Sequence, residues 1–507
     1  MQQASISTND MRILELNAEY LGITLGMLME NAGREVVRLM ESIEPLEGKR
    51  VAVLCGVGGN GGDGMVASRY LYAAGASVDV LLMGDEGSIS NPHTFTNWKI
   101  LKNIRGISKS ILRTESDVKS CKAISKAELL VDAMLGIGQT NAVREPMLTA
   151  IKTFNSSKAT KYSIDIPTGM DSDTGQVYGV TVRATHTITL HAPKPALFKS
   201  SEYVGRVHVV DIGIPKDAGL VCGGGDLWLY TRPRKPTAHK GDFGRILVIG
   251  GSDVFSGAPA LTAMAALRTG ADLVSMVVPD PIVATTRSYS PNLIVHSLNN
   301  TILVPESLDS VREVAQQCDA VAIGPGLGQA PQTIKASNSI VQALMSDGKM
   351  MVIDADALKA LSSSGISLDP DSSIVTPHWG ELATLLARDL GDPDVVNNRI
   401  ERAVEAASKF NTTVLLKGHV DVIAHPDGHY KLNYTGVPAM TVGGTGDVLT
   451  GIAATLLSRR HGSFKAASAA AFISGLAGEK AFQELGDHIE ATDCIAKIPE
   501  VMKPTSR

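Results

Sequence analysis

The sequence predicts two α/β domains in series, each built on a parallel sheet with helices on both faces. Three observations predict this. Short apolar runs alternate with helix-like segments almost throughout, and that alternation is the pattern of parallel strands joined by helical crossovers. The 507 residues exceed what one hydrophobic core ordinarily spans. The alternation stops once, over Lys216 to Lys240, a stretch rich in Gly, Pro and basic residues that reads as a linker, and then restarts. Domains are therefore expected over residues 1–215 and 225–507.

The first-domain strand candidates are Val51–Cys55, Val78–Met83, Leu129–Asp132, Tyr162–Asp165, Thr187–Leu190 and Val207–Asp211. Those of the second are Arg245–Ile249, Leu273–Val278, Ala320–Ile323, Met350–Asp354, Ser373–Val375 and Val414–Leu416. Several end in Gly or Asp. In open α/β sheets ligands bind beyond the carboxyl ends of the strands, so the chemistry is expected there.

Composition narrows the function classes. Hydrophobic content of 44% and charged content of 20% describe a globular chain with ample core. A formal net charge of −5 gives no electrostatic footprint for nucleic acid. No apolar run reaches the roughly 18 residues of a membrane span. Met1 to Ser5 lacks the basic-then-apolar pattern of a signal peptide. Cys55, Cys121, Cys222, Cys318 and Cys494 are odd in number and widely spaced, which argues against a disulfide framework or a zinc site. The reducing cytoplasm is the expected compartment.

In the first domain, Val51–Cys55 runs into Gly56-Val57-Gly58-Gly59-Asn60-Gly61-Gly62-Asp63-Gly64, and a helix pattern follows. This formally matches G-x-G-x-x-G between a strand and a helix, with Asp79 and Asp85 in range of a ribose-binding acid, so a hydride-transferring dehydrogenase is one reading. Asn60 and Asp63 are polar groups that the dinucleotide fingerprint does not require. Two more strand ends carry acids: Asp132 before Gly136-Ile137-Gly138, and Asp165 in Asp165-Ile166-Pro167-Thr168-Gly169. Asn60, Asp132 and Thr168 would offer only oxygen ligands, a set suited to an alkali or alkaline-earth cation. Asp165 is left as a candidate acid or base.

In the second domain the most informative stretch is Gly443-Gly444-Thr445-Gly446-Asp447, followed directly by the apolar run Val448 to Leu457. A glycine-rich turn at a helix N-terminus presents free N–H donors and the positive end of the helix dipole to an anion. Asp447, in the first turn, is placed to take a proton from a hydroxyl attacking a phosphoryl group. Other strand ends supply Gly324-Pro325-Gly326, the acids Asp354 and Asp356, and Lys417-Gly418-His419-Val420-Asp421, whose lysine suits phosphate as a point charge. Ala258 begins one helix, and His378 precedes Trp379 and Glu381 at the start of another.

Met27-Leu28-Met29-Glu30-Asn31-Ala32-Gly33, the Gly58–Gly64 loop and Asp165–Gly169 together resemble the NAD(P)H-hydrate epimerase family over residues of about 5 to 215. The resemblance implies a Rossmann-like three-layer domain. It implies K⁺ held by Asn60, Asp132 and Thr168, ligand phosphates at Asn60, Gly61, Gly62, Asp63 and Gly64 and at Gly136, Ile137 and Gly138, and Asp165 at the reacting ring. Lys194 is a candidate polar partner, with an ordinary surface lysine as the other reading. The family usually has Ser where this chain has Thr168; the hydroxyl is kept.

From about residue 225 to 500 the order and spacing of the motifs resemble the ribokinase-like superfamily, and within it the ADP-dependent NAD(P)H-hydrate dehydratases. That resemblance implies a ribokinase-like α/β domain. Its nucleotide lies on Lys417, Gly418, His419, Val420, Asp421 and Gly446, and its hydrated dinucleotide faces Ala258, Gly326, His378 and Asp447. Trp379 replaces the Pro usual after that His. The fusion resembles the bifunctional NAD(P)H-hydrate repair family: the first domain would interconvert the R and S hydrates of NADH and NADPH. The second would remove water from the S form with ADP and Mg²⁺, releasing AMP and phosphate. A homo-oligomer is expected on the same ground. The competing readings are a small-molecule kinase, for example of a vitamin precursor, the dehydrogenase above, and a binding-only first domain.

Overall fold

The computed structural model describes residues 5–139, 141–362 and 364–503; residues 1–4, on which most of the leader reading rests, lie outside it. The described chain divides into two compact units, the first ending at Ala218 and the second starting at Gly219.

The first unit holds a seven-stranded sheet of β1 (Arg50–Cys55), β2 (Ser77–Met83), β3 (Ser108–Leu112), β4 (Leu129–Ala133), β5 (Thr160–Ile164), β6 (His186–Leu190) and β7 (Arg206–Val210). The order is β3-β2-β1-β4-β5-β6-β7, and every pair is parallel. Successive side chains of a strand point to opposite faces. Val51, Val53 and Cys55 accordingly join one core with Val131 and Ala133, while Ala52 and Leu54 join a second with Leu130 and Phe154. A sheet buried on both faces needs near-continuous apolar strands, which is why these runs were legible in sequence. Chain order reverses between β1 and β4, so the crevice opens at their carboxyl ends, where the Gly56–Gly64 loop and Asp132 lie.

The second unit holds nine strands: β8 (Arg245–Ile249), β9 (Leu273–Val278), β10 (Ile294–Ser297), β11 (Ala320–Ile323), β12 (Met350–Ile353), β13 (Ser373–Val375), β14 (Thr413–Leu416), β15 (Asp421–Ala424) and β16 (Tyr430–Asn433). Their order is β10-β9-β8-β11-β12-β13-β14-β15-β16. The pairing is parallel up to β14 and antiparallel from β14 to β16. The sheet is therefore mixed, where the alternation pattern predicts a parallel one. β15 opens on Asp421 and the edge strand β16 carries Lys431 and Asn433, so neither shows the unbroken apolar run that marks the centre. The buried helix Thr445–Leu457 packs beside the helix Gly257–Thr269; an added Cβ at Gly451 would lie 2.1 Å from the Thr262 carbonyl.

The expected linker is partly structured. Val221 bridges to Leu432, the Cys222 N–H donates to the Leu432 carbonyl, and buried Asp226 pairs with Lys431 Nζ at 2.7 Å. The Gly-rich stretch thus begins by docking on the second unit. No helix among the described residues is long and apolar enough to cross a membrane.

Candidate active sites

In the first unit the Gly-rich loop is not a free coil but the opening turn of the helix Gly59–Ala73. Gly56 and Gly61 are required by close approach: an added Cβ at Gly56 would lie 1.8 Å from the Met134 carbonyl, and at Gly61 1.9 Å from the Gly56 carbonyl. Loop and β4 terminus are therefore locked against each other. Asn60 Nδ2 donates to the Leu135 carbonyl at 3.1 Å, and an added Cβ at Gly136 would touch the Asn60 side chain at 3.1 Å.

Fully buried Asp132 accepts from Thr168 Oγ1 at 2.7 Å, the Thr168 N–H at 2.9 Å, Ser163 Oγ at 3.0 Å and the Met134 N–H at 3.2 Å. Burial holds its carboxyl above the usual range despite these donors. Thr168 Oγ1 also accepts from the Leu135 N–H at 3.0 Å. Asn60 and Thr168 thus meet on the Leu135 backbone, and Asp132 joins them through Thr168. Asn60 Oδ1 is buried with no hydrogen-bond partner, and an orphaned buried acceptor invites a cation or a donor.

Asp165 follows β5 at φ 67, a left-handed conformation uncommon for a non-glycine residue. Its Oδ1 accepts from the Lys194 ammonium, from Thr189 Oγ1 at 3.2 Å and from the Leu190 N–H at 3.2 Å. Lys194 is 0% exposed and also donates to the Leu190 carbonyl at 2.9 Å. The surface-lysine reading is thereby replaced: Lys194 is the buried partner of Asp165. Asp63 faces this pair, and burial, Asp165 and Glu15 push its carboxyl well above the ordinary range. Glu15, raised by burial, pairs with Arg12 at 3.0 Å. It belongs to the helix Thr8–Tyr20, tied near Lys194 by the bond from the Ile6 N–H to the Pro193 carbonyl. Nothing local in the sequence singles out Glu15. Asp79 lies inside β2 and Asp85 pairs with Arg113 at 3.2 Å, so neither stands free for a ribose.

In the second unit the helix Thr445–Leu457 opens at Gly444, whose φ of 96 requires glycine; an added Cβ would lie 2.6 Å from Leu261. Asp447 sits in the first turn. Lys417, after β14, lies 3.4 Å from the Cβ position of Gly446 and donates to Asp354 Oδ1 at 2.9 Å, with Glu381 at 3.8 Å. Asp354 Oδ2 accepts from Thr450 Oγ1 at 2.7 Å. Burial opposes the charged forms of Lys417 and Asp354, but their attraction outweighs it: the ammonium is held above its ordinary range and the carboxylate below. Asp447 is pushed up to about 7 by burial and then by Asp354, with Lys417 pulling the other way.

The sequence reading gives Asp354, Thr450 and Arg399 no role. Asp354 had a signal, an acid at the end of an otherwise apolar strand. Arg399 had none: buried mid-helix, it donates to the carbonyls of Lys417 at 2.9 Å and Val420 at 3.2 Å and so shapes the 417–421 loop. Gly418 and His419 are exposed, Val420 is buried, and Asp421 is held within the turn by Gly418 N–H and Asn433 Nδ2. His378 caps the helix Trp379–Leu386. Its Nδ1 accepts from the N–H groups of Gly380 and Glu381, which leaves Nε2 as the donor. Ala258 and Gly326 meet at 3.4 Å across the Cβ position of Gly326, next to Phe255. Lys417, Gly446 and Asp447 are brought together; Ala258 and Gly326 form a separate wall, linked to the first through Leu261 and Gly444.

Two α/β units, one with a buried Asp–Lys pair at a glycine loop and one with an acid on a glycine-headed helix, define a two-module α/β enzyme. A family model described as NAD(P)H-hydrate dehydratase matches residues 246–500, and one described as YjeF-related protein N-terminus matches residues 25–196. The bifunctional NAD(P)H-hydrate repair enzyme of Methanothermobacter thermautotrophicus is 40% identical over 504 residues, covering 98% of this chain and 95% of that protein. The enzyme of the same description from Pyrobaculum aerophilum is 40% identical, covering 98% of each. Among solved structures, an ADP/ATP-dependent NAD(P)H-hydrate dehydratase from Bacillus subtilis is 28% identical, covers 53% of this chain and 92% of that chain, and superposes with a TM-score of 0.45. The chain belongs to the family of bifunctional NAD(P)H-hydrate repair enzymes.

Proposed function

We propose that the first unit interconverts the epimers of hydrated NADH and NADPH, and that the second dehydrates the S epimer with ADP. The observation that carries the reading is Asp447, a carboxyl pushed to about 7 at the head of a glycine-capped helix, with Lys417 beside it. A base works best when its pKa lies near the working pH.

Water added across the ring's 5,6 double bond leaves a hydroxyl, and hydroxide is a poor leaving group. Asp447 takes the proton of that hydroxyl as its oxygen attacks the β-phosphorus of ADP, and AMP departs. The Gly444–Gly446 amides and Lys417 stabilise the charge that develops. Loss of phosphate from that carbon and of a proton from the neighbouring ring carbon to solvent then restores the double bond. No three His, Cys, Asp or Glu side chains among the described residues converge closely enough to hold a metal. Mg²⁺ would be held by the nucleotide phosphates, with Glu381 and Asp447 as candidate protein ligands, and would supply charge neutralisation. His378, through Nε2–H, and the wall of Ala258 and Gly326 are assigned to the dinucleotide; Lys417 to Asp421 and Gly446 are assigned to ADP.

In the first unit Asp165, positioned by Lys194, is the proton-transfer group at the reacting carbon. Asn60, Asp132 and Thr168 fit K⁺: the atoms they would offer it are oxygens, and Asn60 Oδ1 lacks a partner. The cation would offset phosphate charge at the Asn60–Gly64 loop and the Gly136–Gly138 turn. The two half-reactions test the proposal. Asp447→Asn is expected to abolish dehydration and spare epimerisation, and Asp165→Asn to do the reverse. An Asp447→Asn protein that regenerates NADH at the parental rate would sink it.

A further inference from the structure

A cavity of about 530 Å³ lies wholly within the second unit, away from Asp447. Its walls include Gly244, just before β8, and Asp319, just before β11, so it opens at the amino ends of the strands, opposite the site described above. Ser458 to His461, just past the buried helix Thr445–Leu457, complete it. That helix spans about 20 Å at 1.5 Å per residue, and its other end carries Asp447.

The lining is rich in cations. Arg232, Lys235, Arg459 and Arg460 face the cavity, against two carboxylates. Both carboxylates already accept backbone N–H groups: Asp319 from Arg245 at 2.9 Å, and Asp242 from His239 at 2.7 Å. Lys235 and Arg460 enter no ion pair among the described residues.

Two further features lack a structural reason. The Tyr230 hydroxyl and Arg459 Nε, both on lining residues, are buried without a hydrogen-bond partner, although buried polar groups are nearly always paired. Arg460 adopts φ 60, a left-handed conformation that Gly or Asn holds more readily. Strain kept at a non-glycine residue points to a use for its side chain. Arg459 has local tasks, donating to the Gly270 carbonyl at 3.2 Å and stacking over the Phe243 ring at 4.8 Å; Arg460 has none of this kind.

We propose that this cavity is a second anion site, taking the diphosphate group of a small phosphate-bearing ligand. Its volume suits a ligand of nucleotide size. Arg460 and Lys235 hold the phosphates, since charge-assisted bonds from guanidinium and ammonium groups are the strong ones. The diphosphate could belong to ADP or to inorganic pyrophosphate.

Calorimetric titration of the full chain separates these sources and separates this site from the catalytic one. ADP and pyrophosphate are titrated into the parent, a Lys235→Ala/Arg460→Ala variant and a Lys417→Ala variant, with thermal melts as fold controls. The parent is expected to show two ADP sites. Lys235→Ala/Arg460→Ala should weaken one of them roughly tenfold or more, and Lys417→Ala should weaken only the other. Pyrophosphate matching ADP at the second site would make the diphosphate sufficient; much tighter ADP would identify a nucleotide site. One ADP site in the parent, or Lys235→Ala/Arg460→Ala binding like the parent, overturns the proposal. Loss of both sites in Lys417→Ala also overturns it. Two sites surviving in Lys417→Ala would instead count against the catalytic nucleotide assignment.

Discussion

Lys417 Nζ donates to Asp354 Oδ1 at 2.9 Å, joining the strand that delivers the Lys417–Asp421 loop to the strand that delivers an acid beside Asp447. The bond fixes the lysine beneath Gly446 and sets the field that Asp447 feels. Lys417→Ala should therefore do more than weaken ADP. It leaves Asp354 buried and unpaired, a loss of roughly 3 kcal/mol, read by denaturant unfolding of the second unit. Asp354→Asn in the same background should restore part of that loss.

The pair also sets a pH window. Asp354 is depressed on folding, so its contribution is present above the ordinary carboxylate range and is lost as pH falls through its folded value. Lys417 is raised, so its contribution is present below the ordinary ammonium range and is lost as pH rises through its folded value. The pair's share should be level across neutral pH and lost only toward either extreme, whereas the raised Asp447 carboxyl makes the second unit lose stability as pH rises from the ordinary carboxylate range toward 7; an Asp447→Asn background isolates the pair's share.

Asp447 predicts a different profile for the chemistry. A base with a pKa of about 7 is half protonated there, so single-turnover dehydration should rise through pH 7 and level off above it. Lys417 lowers this value, so any residual activity in Lys417→Arg should keep the profile. A rate flat from pH 5 to 9 would remove Asp447 from the role.

In the first unit, Gly61→Ala should abolish epimerisation, because its Cβ would lie 1.9 Å from the Gly56 carbonyl with no side chain able to move aside. Dehydration of the S epimer should persist in the same protein, as measured by NADH recovery from that epimer alone.

Lys194→Met should unfold the first unit at lower temperature and stop epimerisation, since it strands the buried Asp165. Adding Asp165→Asn should recover stability but not activity. A double variant as unstable as the sum of the two singles would mean that the pair is not coupled.

Much of this was legible in the sequence, for physical reasons that also mark the limits. Central strands such as β8, β9 and β11 are buried on both faces, so their apolar runs carry their own boundaries. β15 opens on Asp421 and β16 carries Lys431 and Asn433, so neither shows an unbroken apolar run and the mixed edge of the second sheet passed unseen. Asn60, Asp132, Asp165, Lys417 and Asp447 sit where a strand or glycine turn ends, a local pattern. Glu15 and Arg399 sit within helices and matter only through what the fold sets against them, as does Lys194, whose burial no neighbour in sequence announces.

The most direct test of the account follows the absorbance of reduced nicotinamide while the protein acts on mixed NADH-hydrate epimers with Mg²⁺, K⁺ and ADP. The account predicts full recovery of NADH with AMP released in equal amount. Recovery that stops at the fraction of the S epimer would leave the first unit without its assigned activity. No recovery with either ADP or ATP would contradict the account.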